Sequence, residues 1–192
     1  DQIQVLTPTR KGPCGTVNLN RLLQEALNPK VPGKREILWG ERVFRVGDRI
    51  MQTRNDYDVV WQKADGTVGT GMFNGDVGRI VEIDQSGEWL ALDFDGRTAP
   101  YSTEMLSEID LAYAQTVHKA QGSEYRCVVL ATMPSAPSLM VRGVLYTALT
   151  RARKLLVMVG DDAAVRSMAA NDKQQKRYSG LKWRLCHAGE NG

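Results

Sequence analysis

Several things are scarce in this 192-residue chain, and each absence excludes a class of protein. No apolar run approaches the roughly 20 residues that cross a bilayer as a helix. No basic stretch followed by an apolar core opens the sequence, which argues against a secretory signal. Cysteine occurs only as Cys14, Cys127 and Cys186, an odd number with no metal-ligand spacing. That pattern argues against a disulfide framework or a zinc site and for reduced thiols. The expectation is a soluble, cytoplasmic protein without a membrane partner. The phosphate-cradling pattern G-x-x-x-x-G-K-[ST] is also missing. Gly33-Lys34-Arg35 comes nearest, but Asn28 stands where the first glycine should be and Arg35 where the hydroxyl should be. LLVMVGDD imitates an acid-terminated Walker B strand, yet without a P-loop Asp161 and Asp162 read more simply as a helix cap.

What is present is unevenly charged. The net charge of +3 divides into +4 over residues 1–45, −8 over 46–112, +4 over 113–170 and +3 over 171–192. An acidic middle between basic flanks is what one domain inserted into another produces. The basic flanks suit a polyanion such as nucleic acid or nucleotide phosphate; a solvated charged surface is the plainer alternative.

The pattern of elements changes at the same places. IQVL reads as a short strand ending at the Pro- and Gly-rich TPTRKGPCG. TVNLNRLLQEALNP reads as a helix with Thr16 as N-cap, an apolar stripe of Leu19, Leu22, Leu23, Ala26 and Leu27, and a stop at Asn28-Pro29. Beyond the basic connector KVPGKREILWG come shorter strand-like stretches punctuated by Gly and Asp-Gly, five or so in about 60 residues, as in a small antiparallel barrel. After Asp110, LAYAQ, CVVLA and KLLVMVG are continuous apolar runs expected of strands buried on both faces. LMVRGVLYTALTRAR and DDAAVRSMAAN read as helices. The expected class is therefore α/β, a parallel sheet interrupted by a β-barrel insertion.

TVHKAQGSE, Thr116 to Glu124, is an oddly polar run between two of these apolar ones. In open α/β sheets, ligands sit beyond the carboxyl ends of the strands. TPTRKGPCGT, TVHKAQGSE and the surroundings of ALTRARK are expected there, gathering Arg10, Lys11, Thr116, His118, Lys119, Gln121, Glu124, Arg151, Arg153 and Lys154 at one edge. Cations, hydroxyls and a carboxylate together suit a nucleotide or a phosphodiester backbone.

VLTPTRKGPCGTVNLNRLLQEALNP, TRNDYD with FNGDVG, AQTVHKAQGSEY and VLYTALTRARKLLVMVG stand in an order that resembles RecD-like helicases of superfamily 1B, which include TraA-type proteins. The resemblance runs from Val5 to about Leu185 and covers the C-terminal half of such a protein. It implies a RecA-like second helicase domain lacking its own P-loop, formed by residues 1–40 and 108–192, with an SH3-like β-barrel inserted at 41–107. It further implies an ATP-dependent helicase moving 5′ to 3′, with ATP and Mg²⁺ held mainly by an N-terminal P-loop domain of the same protein. This segment alone is then expected to be inactive. Asp1, with no methionine and standing directly on a strand, reads as a boundary inside a longer protein.

By the same resemblance, VLTPTRKG corresponds to motif IV, with Arg10 and Lys11 near ATP. AQTVHKAQGSEY corresponds to motif V: Thr116, His118 and Lys119 meet the single strand, while Gln121, Gly122 and Glu124 approach the nucleotide. LYTALTRAR corresponds to motif VI, with Arg151 as arginine finger. No residue is expected to bind metal. Single-stranded DNA and other exonuclease-complex subunits are the implied partners. VVWQKADGTVGTG is longer than the family connection and is expected to add a hairpin to the barrel. Tyr57 and Phe73 read as core or turn packing in preference to stacking platforms for bases. The −8 charge of the barrel argues against it as an independent DNA binder, and Cys186-His187 reads as tail. The alternative to an enzyme part is a non-catalytic single-strand-binding or protein-interaction module derived from such a helicase.

Overall fold

A computed structural model describes residues 2–172; Cys186, His187 and the rest of 173–192 lie outside the described residues. In chain order the elements are β1 (Ile3–Thr7), α1 (Thr16–Leu27), β2 (Glu36–Trp39), β3 (Arg42–Arg45), β4 (Arg49–Gln52), β5 (Asp56–Gln62), β6 (Val68–Met72), β7 (Val77–Ile83), β8 (Trp89–Phe94) and β9 (Arg97–Ser102). A 3₁₀ turn (Thr103–Glu108) then leads to β10 (Ile109–Leu111), β11 (Ala114–Thr116), β12 (Tyr125–Thr132), α2 (Arg142–Leu149), β13 (Ala152–Gly160) and α3 (Asp162–Ala170). No helix among the described residues is long and apolar enough to cross a membrane.

The flanks form a four-stranded parallel sheet in the order β11-β1-β12-β13. Strand alternation sends Leu6, Val128 and Leu130 to one side, where they pack with Val144, Leu145 and Ala148 of α2 and Met168 of α3. Asp161 caps α3 by accepting from the Ala163 N–H at 2.7 Å. The opposite row is less covered. Ile3, Cys127 and Leu155 lie in register there, as do Val5, Val129 and Val157. The expectation that KLLVMVG is buried on both faces is corrected: β13 is an edge strand, and Leu155 and Val159 are 55% and 56% exposed.

The middle of the chain makes a seven-stranded antiparallel sheet, ordered β10-β4-β7-β8-β9-β5-β6, beside the β2-β3 hairpin. Met72 from one end of that order and Ile109 from the other meet in one core with Phe44, Ile80, Leu92 and Tyr101. The sheet therefore closes around its own side chains. VVWQKADGTVGTG forms most of the β5-β6 hairpin. LAYAQ is not one strand: Leu111 ends β10 in the antiparallel sheet, and Ala114 begins β11 in the parallel one. The run is apolar because Ala112 and Tyr113 are buried where the two sheets join.

α1 is turned partway from the expected face, although Leu23 still packs against the antiparallel core. Its buried residues are Thr16, Asn20 and Gln24, followed by Asn28 just past its end, whereas Leu22 and Leu27 are 47% and 68% exposed. The four-residue spacing makes a polar stripe, and each of its amides is spent on the junction. Asn20 exchanges hydrogen bonds with the Ala114 backbone through Oδ1 (2.7 Å) and Nδ2 (3.1 Å), and also donates to the Leu111 carbonyl. Gln24 and Asn28 both donate to the fully buried Asp48 carboxylate, at 2.6 Å each. That carboxylate accepts further bonds from the Arg45 N–H (2.6 Å) and the Tyr113 hydroxyl (2.8 Å). Such saturation is what allows a carboxylate to stay buried. Burial, reinforced by the Asp48 charge, raises the Tyr113 phenol above its ordinary pKa. Arg45 adds ion pairs to Glu25 (2.7 Å) and Glu36 (3.1 Å), so helix, hairpin and barrel are tied together.

Gly15, not Thr16, is the N-cap of α1. The first helical amides, of Thr16 and Val17, donate to the Thr9 and Arg10 carbonyls at 3.1 and 3.2 Å. The loop can fold back so closely only on glycine, because a Cβ at Gly15 would stand 2.5 Å from the Arg10 carbonyl oxygen.

Candidate functional site

All four strands of the smaller sheet are parallel, so the loop after β11 leaves its carboxyl end and the loop before β12 enters at the amino end. Residues 117–124 join the two, crossing the sheet alongside α2 with only turns and no helix of their own. Val117 and Ala120 anchor this crossing in the core under α2. Register places Thr116 beside Thr7, and Leu6 beside Leu130. Thr116 and Glu124 then lie toward opposite ends of the strands. The polar run therefore has two ends with different surroundings.

At the carboxyl end, the Thr116 hydroxyl oxygen accepts from the Lys119 N–H at 3.2 Å. This pins the turn and leaves the hydroxyl proton free to donate outward. His118 and Lys119 are exposed beside it. His118 and Gln121 line a cleft of about 780 Å³ closed by Leu139, Gly143, Tyr146 and Thr147. Thr116 and Lys119 also border a second cleft, of about 880 Å³, between α1 and the antiparallel sheet. Its rim carries Arg10, Arg21 and Arg42. Arg10 is 3.9 Å from Asp110, and Arg42 is 3.4 Å from the same carboxylate.

At the amino end, Arg151 is fastened to the run itself. Its Nη1 donates to the Ser123 carbonyl (2.9 Å), Nε to the Thr147 carbonyl (3.1 Å) and Nη2 to the Thr150 hydroxyl (3.2 Å). Its own carbonyl accepts from the Tyr125 N–H at 2.8 Å. A guanidinium has five N–H donors, so two remain for a ligand. Glu124 pairs with Arg153. Gly122 has φ of +89°, with open space where a Cβ would be. The left-handed backbone, not crowding, calls for glycine there.

The expectation that all these loops gather at one edge is thus corrected. Thr116, His118, Lys119 and Arg10 lie toward the carboxyl end, Lys11 in the loop that leaves the same end of β1; Gly122, Glu124, Arg151 and Arg153 lie at the amino end. The reason is topological: a connection between parallel strands starts at a carboxyl end and finishes at an amino end, and Arg151 follows α2 to stand just before β13. Arg10 and Lys11 are accordingly not brought to Arg151. Among the described residues no three His, Cys, Asp or Glu side chains gather as a metal-holding group.

Two features near this site differ from the sequence reading. One is the polar stripe of α1, signalled by amides at Asn20, Gln24 and Asn28 in four-residue steps. The other is the pair Tyr57 and Phe73, which lies outside the barrel core, 66% and 43% exposed. Of the expected core or turn packing, the core part is corrected: the two rings pack against each other beside the turns.

Comparison with known proteins places these features. Residues 19–94 match the family model described as the ATP-dependent RecD-like DNA helicase SH3 domain. Residues 111–159 match the UvrD-like helicase C-terminal domain. The chain is 37% identical over 185 residues to the ATP-dependent RecD2 DNA helicase of Deinococcus radiodurans, covering 96% of this chain and 24% of that protein. It is 32% identical over 189 residues to the RecBCD enzyme subunit RecD of Mycolicibacterium smegmatis, covering 98% of this chain and 30% of that protein. The chain thus spans about a quarter to a third of the length of these relatives. In fold it is similar to Bacteroides Pif1 bound to single-stranded DNA, with a TM-score of 0.55 at 16% identity over 99% of this chain and 46% of that one. A RecA-like parallel sheet and an SH3-type antiparallel region in one chain, with both family models matching in that order, mean that this chain belongs to the RecD-like DNA helicase family.

Proposed function

We propose that this segment is a C-terminal part of an ATP-driven motor that moves 5′ to 3′ along single-stranded DNA. Residues 1–40 and 108–192 act as its second RecA-like domain, and 41–107 as an inserted barrel. One observation carries the reading: residues 116–124 cross the sheet with Thr116 and His118 at one end and Glu124, beside Arg151, at the other. A change at the nucleotide end can be transmitted to the strand end through one short, core-anchored crossing.

At the strand end, Thr116, His118 and Lys119 supply a hydroxyl, an imidazole and an ammonium for phosphodiester oxygens. Arg10 and Lys11 belong with this set, since they leave the same end of the sheet. At the nucleotide end, Arg151 presents two uncommitted N–H groups from a fixed guanidinium, Glu124 offers a ribose hydroxyl acceptor, and Gln121 and Gly122 shape the approach. Phosphoryl transfer needs positioned positive charge more than covalent chemistry, which is what a restrained arginine provides.

The residues present fit ATP with Mg²⁺ only as completing partners. The first amides of α1 are occupied by Thr9 and Arg10, so they do not form a phosphate cradle. Bound ATP would supply the γ-phosphoryl group, held mainly by a P-loop domain elsewhere in the same protein. Other exonuclease-complex subunits are further proposed partners; one relative is named a RecBCD enzyme subunit.

The test is a pair of variants in the intact protein. Arg151→Ala should abolish DNA-stimulated ATP hydrolysis and spare strand binding; His118→Ala should weaken strand binding. Wild-type hydrolysis by Arg151→Ala would sink the proposal. An intact protein that binds strands but never hydrolyses ATP would instead support a non-catalytic binding module.

A further inference from the structure

We propose that Tyr57 and Phe73 form a base-stacking platform that receives the single strand from the 116–119 turn and extends its path onto the antiparallel domain. This rests on the strand-binding reading above and adds a ligand subsite to it.

The two rings meet edge to face, with centroids 5.8 Å apart and planes at 77°. That geometry stabilises the pair; the edge of one ring covers a face of the other, and both side chains keep exposed surface. Neither side chain contributes to the core. Their local backbone is built to present them. The β5-β6 register breaks between Asp56 and Val60, so Tyr57 leaves the regular ladder. Asn55 then ties the two turns together, accepting from the Asn74 N–H at 2.9 Å and donating to the Tyr57 hydroxyl at 3.4 Å.

The second observation links this pair to the proposed strand site. The Lys119 ammonium donates to the Asn74 side-chain carbonyl, so the turn bearing Thr116 and His118 touches the residue next to Phe73. The two surfaces are continuous across the two domains. A strand passing Thr116 and Lys119 reaches the aromatic pair within the next nucleotide or two.

The charge around the platform decides what it takes. The domain is strongly acidic, and Asp56 and Asp58 flank Tyr57. Phosphates are repelled there, whereas a nucleobase needs only an open π face. Asp76 is committed to Arg97 at 3.0 Å and to the Phe73 N–H at 3.2 Å, so it does not compete for the base. The phosphate backbone is held on the side of Lys119 and the exposed Arg54. The ligand is therefore an unpaired base of a single strand, recognised without sequence preference.

The experiment measures binding of a fluorescent oligothymidine by the intact protein, and of the same strand made abasic over the barrel-proximal nucleotides. Tyr57→Ala or Phe73→Ala should weaken binding of the complete strand by about 5- to 100-fold, the loss expected for one base stack. The slope of log K against log salt should not change, because no phosphate contact is lost. Both variants should bind the abasic strand as the wild type does, and Tyr57→Trp should restore binding. Wild-type affinity in both alanine variants, or equal losses on the two strands, overturns the platform. His118→Ala and Lys119→Ala serve as controls. If they also leave binding unchanged, the strand-binding reading itself fails; if they weaken it while the aromatic variants do not, only the platform fails.

Discussion

The Arg151 guanidinium donates to the Ser123 carbonyl at 2.9 Å, so the arginine before β13 is held by the last turn of the run that starts at Thr116. Three of its N–H groups are directed to fixed acceptors, and their planar fork sets where the remaining two point. A lysine cannot reproduce this, since an ammonium on a flexible stem has no fork. In the intact protein, Arg151→Lys should lose DNA-stimulated ATP hydrolysis nearly as fully as Arg151→Ala, by about 10³-fold or more. Strand affinity should stay within about twofold of wild type, a change of only ~0.4 kcal/mol. Hydrolysis restored by lysine would mean that charge suffices and that the tether to Ser123 has no part in it.

Gly122 tests the crossing from the other direction. Its φ of +89° lies in the left-handed region, and no neighbour would touch an added Cβ. Gly122→Ala should therefore cost the backbone strain of one residue, about 1–2 kcal/mol, without a steric clash. The strain falls next to Ser123, so the lost stability should come with a shifted Arg151 and reduced hydrolysis. Thermal melting and steady-state ATPase measured on one preparation check both. An unchanged melting temperature would show that the turn adapts and that glycine is not needed for its conformation.

How far the sequence was legible depends on what each pattern encodes. The Gly and Asp-Gly punctuation of 41–107 reports turn geometry, which is local, and it forecast the antiparallel hairpins, including the one made by VVWQKADGTVGTG. The polar run 116–124 was visible as chemistry out of place between apolar strands. KLLVMVG was misread because an apolar run states that both faces are greasy, not that both are covered. LAYAQ was misread because burial at a junction looks the same as burial within one strand. The one-edge grouping of Arg10 with Arg151 fails because Arg10 follows β1 at a carboxyl end, whereas Arg151 comes after α2 and leads into β13 at an amino end. For α1, the leucines drew attention from the equally periodic Asn20, Gln24 and Asn28. Amides gain nothing from burial alone, and only the partners at Ala114, Val43 and Asp48 make that face the inner one.

The polar stripe of α1 makes a prediction contrary to ordinary hydrophobic intuition. Asn20→Leu adds apolar surface to a helix rich in leucine, yet it should destabilise the segment by about 2–3 kcal/mol. It strands the Ala114 N–H and two carbonyls that Asn20 now satisfies, and each buried unsatisfied group costs ~1–3 kcal/mol. Leu22→Asn, on the exposed face, should change stability by no more than about 0.5 kcal/mol. Urea unfolding of the two variants separates the cases. Equal effects would show that the polar stripe is not what fixes α1 to the junction.

Tyr113 and Asp48 give the junction a pH dependence of defined sign. Burial first, and then the Asp48 charge, raise the Tyr113 phenol above its ordinary value. Burial likewise raises Tyr101, which donates to Gln52 at 3.0 Å. In the unfolded chain a tyrosine loses its proton near pH ~10, whereas the folded phenols keep theirs to higher pH. Their contribution to stability is therefore fully present below pH ~10 and is lost as the pH rises toward the folded values. Unfolding free energy measured from pH 8 to 11 should be flat with respect to these groups at first, then fall above pH ~10. Tyr113→Phe should lower stability at neutral pH, because Asp48 loses a donor, and should make the alkaline decline shallower. The absorbance change of phenolate formation, followed in the same samples, should lag behind that of exposed tyrosines until the protein unfolds. A Tyr113→Phe variant with the wild-type alkaline slope would assign that slope to other groups and leave the Asp48 junction insensitive to pH.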